Sequence, residues 1–149
     1  GWKFADQEMR GFPMRIEIGP KDIERGECVL VRRDTREKIQ VKIEDVAAES
    51  AKLLETIQKD MYERALAFRI AHTYEASTYD EFRKIAEEQP GFIKAYWCGD
   101  EECENKIKAD TTCTSRCMPF GSEGDAPEEA ACICCGRKAR RLVYWGKAY

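Results

Sequence analysis

Histidine is almost missing: His72 is the only one among 149 residues. That argues against His-rich metal sites and against Ser/His/Asp catalysis. No run of about 18 apolar residues occurs, so the sequence predicts no membrane-spanning helix. The opening residues Gly1-Trp2-Lys3-Phe4-Ala5-Asp6-Gln7-Glu8 contain no apolar core of the kind a signal peptide needs. An excess of positive charge is also missing. Lys and Arg number 25 against 28 Asp and Glu, a net charge of −3, which excludes the broadly basic surface that coats DNA. There is no Gly-rich phosphate loop, no H-E-x-x-H and no G-x-S-x-G. The glutamates are many but scattered, so no catalytic carboxylate pair stands out.

What the chain does have is cysteine. Eight are present, and seven of them fall in the last 52 residues. With no secretory segment, the compartment reads as reducing and cytoplasmic, where clustered cysteines bind metal more often than they form disulfides. The spacing agrees. Cys98-Gly99-Asp100-Glu101-Glu102-Cys103 is C-x4-C, and Cys132-Ile133-Cys134-Cys135-Gly136 contains C-x2-C followed by glycine. Two close pairs separated by a long insert suit a tetrahedral zinc site with two thiolates from each pair. Cys134 could replace Cys132 or Cys135. Cys135 is preferred because Gly136 after it lets the backbone turn tightly. Asp100 reads as a helix N-cap, placing Cys103 in a first turn whose positive end would lower its thiol pKa. Cys28, Cys113 and Cys117 read as small buried hydrophobes.

The hydrophobic share of 43% is enough for a packed core, and the length suits one ordinary domain or two small ones. Residues 3–10 read as a short helix. Residues 14–18 alternate as a strand with Met14, Ile16 and Ile18 on one face. Pro20 opens a short helix to about Arg25. Cys28-Val29-Leu30-Val31 is apolar on both faces, as expected of a central strand. Ile39, Val41 and Ile43 alternate on a returning strand. From Glu44 to about His72 the period becomes helical, with Val46, Ser50, Leu53, Ile57, Met61, Ala65 and Phe68 forming a packing stripe. A helix of that length would span about 40 Å and join two domains. Thr78-Tyr79-Asp80-Glu81 is a capping box opening a helix to about Glu88. Strands follow at 92–97, 111–118 and 140–145, a helix at 100–109 and an acidic loop at 121–130. Metal would supply much of the stability of this second part. The expected division is 1–46, a connecting helix 47–77, and 78–149. Charge balances in these segments are 0, −1 and −2, so any nucleic-acid contact must be a local patch.

The densest basic patch, Arg32-Arg33-Asp34-Thr35-Arg36-Glu37-Lys38, follows the central strand. Ligands gather at such strand ends in open α/β sheets. Arginine reads guanine through a forked hydrogen-bond pair. Carboxylates such as Glu17, Asp22 or Asp34 can accept from the N1–H and N2–H2 of an unstacked guanine. The competing reading is a solvated hairpin with mutual ion pairs.

Several ordered motifs then carry a resemblance: Gly1-Trp2-Lys3-Phe4, Arg15-Ile16-Glu17-Ile18-Gly19-Pro20-Lys21-Asp22, Val31-Arg32-Arg33-Asp34-Thr35, Trp97-Cys98-Gly99-Asp100-Glu101-Glu102-Cys103, Arg116-Cys117-Met118-Pro119-Phe120 and Gly146-Lys147-Ala148-Tyr149. The chain closely resembles the C-terminal part of prolyl-tRNA synthetase, a class II aminoacyl-tRNA synthetase, of the archaeal/eukaryotic-like type. The resemblance implies an α/β fold: the later half of a mixed-sheet anticodon-binding domain, joined by a long helix to a small α+β zinc domain. It implies tRNA(Pro) as partner, contacted by Glu17, Lys21, Asp22, Arg32, Arg33 and Asp34. It implies structural zinc on Cys98, Cys103, Cys132 and Cys135, and a C-terminal Tyr149 that reaches toward the active site. The complete enzyme is a homodimer that ligates proline to its tRNA with ATP and Mg2+ held in a catalytic domain outside this chain, so this chain alone is expected to be inactive. No DNA and no membrane partner is implied. Two departures stand out. Arg36 replaces a glycine usual in the hairpin, and Cys134 adds a thiol inside the second pair. A free-standing zinc module binding RNA or protein, and a redox-active thiol protein, remain the competing functions.

Overall fold

The computed structural model describes residues 1–147 and divides into two compact units, Gly1–Leu66 and the part from Ala67 onward. The expected contribution of Tyr149 lies outside the described residues.

The first unit opens with helix α1 (Trp2–Met9), strand β1 (Met14–Glu17) and helix α2 (Pro20–Arg25). Strands β2 (Glu27–Arg32) and β3 (Lys38–Lys42) follow, then a 3-10 turn at Ile43–Asp45 and the 26-residue helix α3 (Val46–Ala71). The three strands pair antiparallel in the order β1-β2-β3. The doubly apolar segment Cys28–Val31 is indeed the central strand, and Cys28, Leu30 and Val31 are all buried. Leu30 packs with Leu53 and Ile57 of α3, joined by Ile39, Val41 and Met14.

The apolar face read on residues 14–18 is largely uncovered: Ile16 and Ile18 are 51% and 52% exposed. β1 is an edge strand, and Met14 is the only β1 residue that joins the α3 cluster. The α3 stripe is also only partly buried: Leu53 and Ile57 are covered, whereas Met61 and Phe68 are exposed.

The second unit contains β4 (Thr73–Glu75), α4 (Tyr79–Glu88), β5 (Phe92–Trp97), α5 (Glu101–Thr111), β6 (Cys113–Cys117), a 3-10 turn at Gly121–Glu123, and β7 (Arg141–Lys147). Its sheet runs β4-β5-β7-β6, with β4 parallel to β5 and the other pairs antiparallel. Thr78 caps α4 by accepting from the Glu81 N–H, and the Glu81 carboxylate accepts from the Ser77 N–H. Phe82 meets Trp145 edge-on at 6.1 Å, in a core with Ile93, Ala95, Ile107 and Val143. Gly91 has φ +141, and a side chain there would collide with the His72 carbonyl, 2.1 Å from an added Cβ. That close approach lets Phe92 donate to the same carbonyl at 2.8 Å as β5 begins. Of the cysteines expected to be buried hydrophobes, Cys28 and Cys113 are buried but Cys117 is exposed. It ends edge strand β6 just past a register shift, opposite Tyr144 of β7.

Candidate metal centre and nucleic-acid interface

The two cysteine pairs meet in the second unit. β5 ends at Trp97 and delivers Cys98. The Asp100 side chain then caps α5 by accepting from the Glu102 N–H, which sets Cys103 in the first turn. On the other side the chain makes a tight turn. Gly136, at φ 72, donates to the Cys132 carbonyl at 2.9 Å, and Cys132 donates to the Arg137 carbonyl at 2.7 Å. The turn is tied to β5 because Ile133 donates to the Tyr96 carbonyl and Arg140 to the Trp97 carbonyl, both at 2.8 Å.

As a result the sulfurs of Cys98, Cys103, Cys132 and Cys135 all lie within 4.8 Å of one another. The Cys98 sulfur is 3.7 Å from that of Cys103 and 3.8 Å from that of Cys135. A tetrahedron with Zn–S bonds of about 2.3 Å has edges of about 3.8 Å, so the spacing and the all-thiolate donor set fit zinc. Cys134 is outside this group and packs between the cluster and the hydrophobic core.

Cys98, Cys103 and Cys132 are buried, while Cys135 is exposed. Burial pushes the Cys98 and Cys103 thiols up. This corrects the expectation for Cys103, because burial and the adjacent sulfurs outweigh the helix end. Cys135 moves the other way, to about 6, because the Arg137 guanidinium donates to its sulfur. The Arg137 Nε lies 3.3 Å from that sulfur, and another guanidinium nitrogen pairs with Asp100.

The nucleic-acid candidates lie in the first unit. The β1–β2 register sets Glu17 opposite Val29 and Met14 opposite Arg32. Glu17, Lys21 and Asp22 therefore gather at one end of β1, about 10 Å from Arg32, Arg33 and Asp34 at the other. Arg32 is only 4% exposed. It donates twice to Asp34, at 3.0 and 2.9 Å, and once to Asp60 at 2.7 Å. Arg64 donates to Asp34 at 2.8 Å. These bonds, Arg32 first, hold the Asp34 carboxyl well below the usual range. Asp60 and Arg64 belong to this network and were not singled out from the sequence. Their spacing of four on one helix face was the available signal.

Glu17 accepts from Arg15 at 2.8 Å and from Lys38 at 3.2 Å, and the Arg15 bond lowers its pKa. Asp22 accepts from the Gly19 N–H at 2.8 Å. Arg33 is half-buried, and its guanidinium donates to the Glu8 carbonyl at 3.2 Å. Lys21 is exposed. Arg36 has φ 65, the left-handed conformation that glycine adopts without strain.

The first unit thus presents an arginine–carboxylate rim at one end of its sheet, and the second a four-cysteine cluster of a spacing that fits a metal ion. Comparison with known proteins supplies the class. Residues 1–53 match the anticodon binding domain family, and residues 79–149 match the prolyl-tRNA synthetase, C-terminal family. All 149 residues align with proline--tRNA ligases: 60% identical in Lachnospira eligens, 60% in Agathobacter rectalis and 53% in Clostridium novyi. The chain spans 30%, 31% and 30% of the length of those relatives. By these matches the chain is similar to the C-terminal portion of prolyl-tRNA synthetases.

Proposed function

We propose that this chain recognises the anticodon of tRNA(Pro) and carries a structural zinc centre, as the C-terminal portion of an enzyme that ligates proline to tRNA(Pro) with ATP. The observation that carries the reading is the match along the whole chain, with an anticodon-binding segment followed by a prolyl-tRNA synthetase C-terminal domain. Catalysis, with its ATP and Mg2+, belongs to a separate catalytic domain, and so does the homodimer contact. The working compartment is the cytoplasm.

Within the interface the geometry divides the labour. Lys21 and Arg33 form no side-chain ion pair among the described residues, so theirs are the charges left to meet RNA. Glu17 and Asp22 accept from guanine edges. Arg32 and Asp34 hold the β2–β3 turn that presents Arg33. Zinc on Cys98, Cys103, Cys132 and Cys135 supplies structural cross-linking of the two cysteine pairs.

The test is binding of tRNA(Pro) transcripts to the complete enzyme. Arg33→Ala is expected to weaken binding by roughly 1–3 kcal/mol for a lost bidentate base contact. The loss should shrink when the anticodon guanines are replaced. Unchanged affinity for the native anticodon would remove Arg33 from the interface.

A further inference from the structure

Three of the four clustered sulfurs are enclosed, and the fourth is open to solvent. Any chelator, oxidant or electrophile therefore reaches Cys135 first. Among the described residues one cation contacts that exposed sulfur, the Arg137 guanidinium, whose Nε is 3.3 Å away. The same guanidinium is held by the Asp100 carboxylate. Asp100 lies between Cys98 and Cys103 in the chain and caps the helix that carries Cys103. Arg137 follows Cys132 and Cys135. The ion pair thus ties the two cysteine pairs together outside the sulfurs.

We infer that Arg137, oriented by Asp100, is a positioning residue for the metal centre that controls how long the metal stays bound. The inference rests on the zinc reading proposed above. Zinc with four thiolates carries a net charge of −2. A guanidinium N–H donated to the exposed sulfur offsets part of that charge and opposes its departure from the ion. Without the guanidinium, Cys135 is the sulfur that dissociates first and opens the site. Groups that orient metal ligands from outside typically change metal affinity by 10–100-fold. Lysine cannot replace arginine fully, because a point charge lacks the planar fork that serves the sulfur and the carboxylate together.

The test uses the whole chain, loaded with zinc, and measures the rate of zinc transfer to an excess of a chromophoric chelator. Arg137→Ala is expected to release zinc about 10–100-fold faster than the wild type, with Arg137→Lys between them and Asp100→Asn also faster. Arg141→Ala, which removes the surface pair with Asp125 from the same unit, should release at the wild-type rate. Cobalt substitution gives a second readout: the thiolate-to-cobalt bands should persist in Arg137→Lys and fade faster under chelator. Alkylation by iodoacetamide, located by mass spectrometry, should label Cys135 first in every form and fastest in Arg137→Ala. Release by Arg137→Ala and Arg137→Lys within twofold of the wild type would overturn the inference. First labelling at a buried sulfur would overturn it too. A wild-type chain that binds neither zinc nor cobalt would instead overturn the metal reading itself.

Discussion

At the scale of single residues, Arg36 is the position where sequence and backbone disagree. It occupies φ 65 in the turn between β2 and β3. A side chain in the left-handed region costs about 1–2 kcal/mol per residue. Glycine removes that cost but adds roughly 0.5–1 kcal/mol of backbone entropy to be lost on folding. The Arg36 pair with Glu8 is largely solvent-exposed on the arginine side and contributes little. Arg36→Gly is therefore expected to stabilise the chain by roughly 0.5–1 kcal/mol. Arg36→Val, β-branched, should destabilise it by at least as much. Denaturant midpoints of the three proteins check this, and a glycine variant no more stable than the valine one would remove strain as the explanation. The turn's glycine-like demand was legible only through the family resemblance, whose usual hairpin has glycine where this chain has Arg36. The long-range partners of Arg32 and Asp34 were not. Asp60 accepts from Arg32 and Arg64 donates to Asp34, 28 and 30 residues apart in the chain; their spacing of four marks one helix face but not the turn that the face meets.

At the scale of elements, local signals were good wherever one residue decides the backbone. Pro20, Thr78, Asp100 and Gly136 each begin or end the element they announce. Strand β4 was missed because Thr73–Glu75 is too short to alternate and is fixed only by its parallel partner β5. The exposure of Ile16 was missed because alternation reveals a face but not whether anything covers it. The cysteine cluster was legible because spacing, turn glycine and helix cap act within a few residues. It also separates Cys135 from Cys134 by position. On the zinc reading proposed above, Cys98→Ser should lower zinc content and the melting temperature of the second unit, since a metal held by the four sulfurs would tie β5 and α5 to the 132–136 turn. Cys134→Ser should keep full zinc, with a smaller stability loss from its place against the core. Metal analysis beside thermal melts checks both. Full zinc in Cys98→Ser, or zinc loss in Cys134→Ser, would reassign the ligands.

At the scale of the whole molecule, charge sets how this chain can meet RNA. Its net charge is −3, and in the first unit most basic groups near the candidate interface are already paired. Arg15 pairs with Glu8 and Glu17, Arg32 with Asp34 and Asp60, Arg36 with Glu8, and Lys38 with Glu17. Lys21 and Arg33 keep charge to spend on phosphate or guanine, and Arg36, exposed in its pair with Glu8, is a third that RNA could draw on. Each phosphate neutralised on a single strand contributes about −0.7 to the slope of log affinity against log salt. Two or three such contacts predict a contribution from this chain of roughly −1.5 to −2. That share is isolated by comparing the complete enzyme with a Lys21→Ala/Arg33→Ala/Arg36→Ala variant across a salt titration. A difference in slope of that size, with guanine discrimination falling alongside it, matches an anticodon reader that selects by a few directed contacts. A difference near zero would move the interface off this rim. A slope difference larger by several units would require cations that these ion pairs keep occupied, and the pairs themselves would have to open when RNA binds.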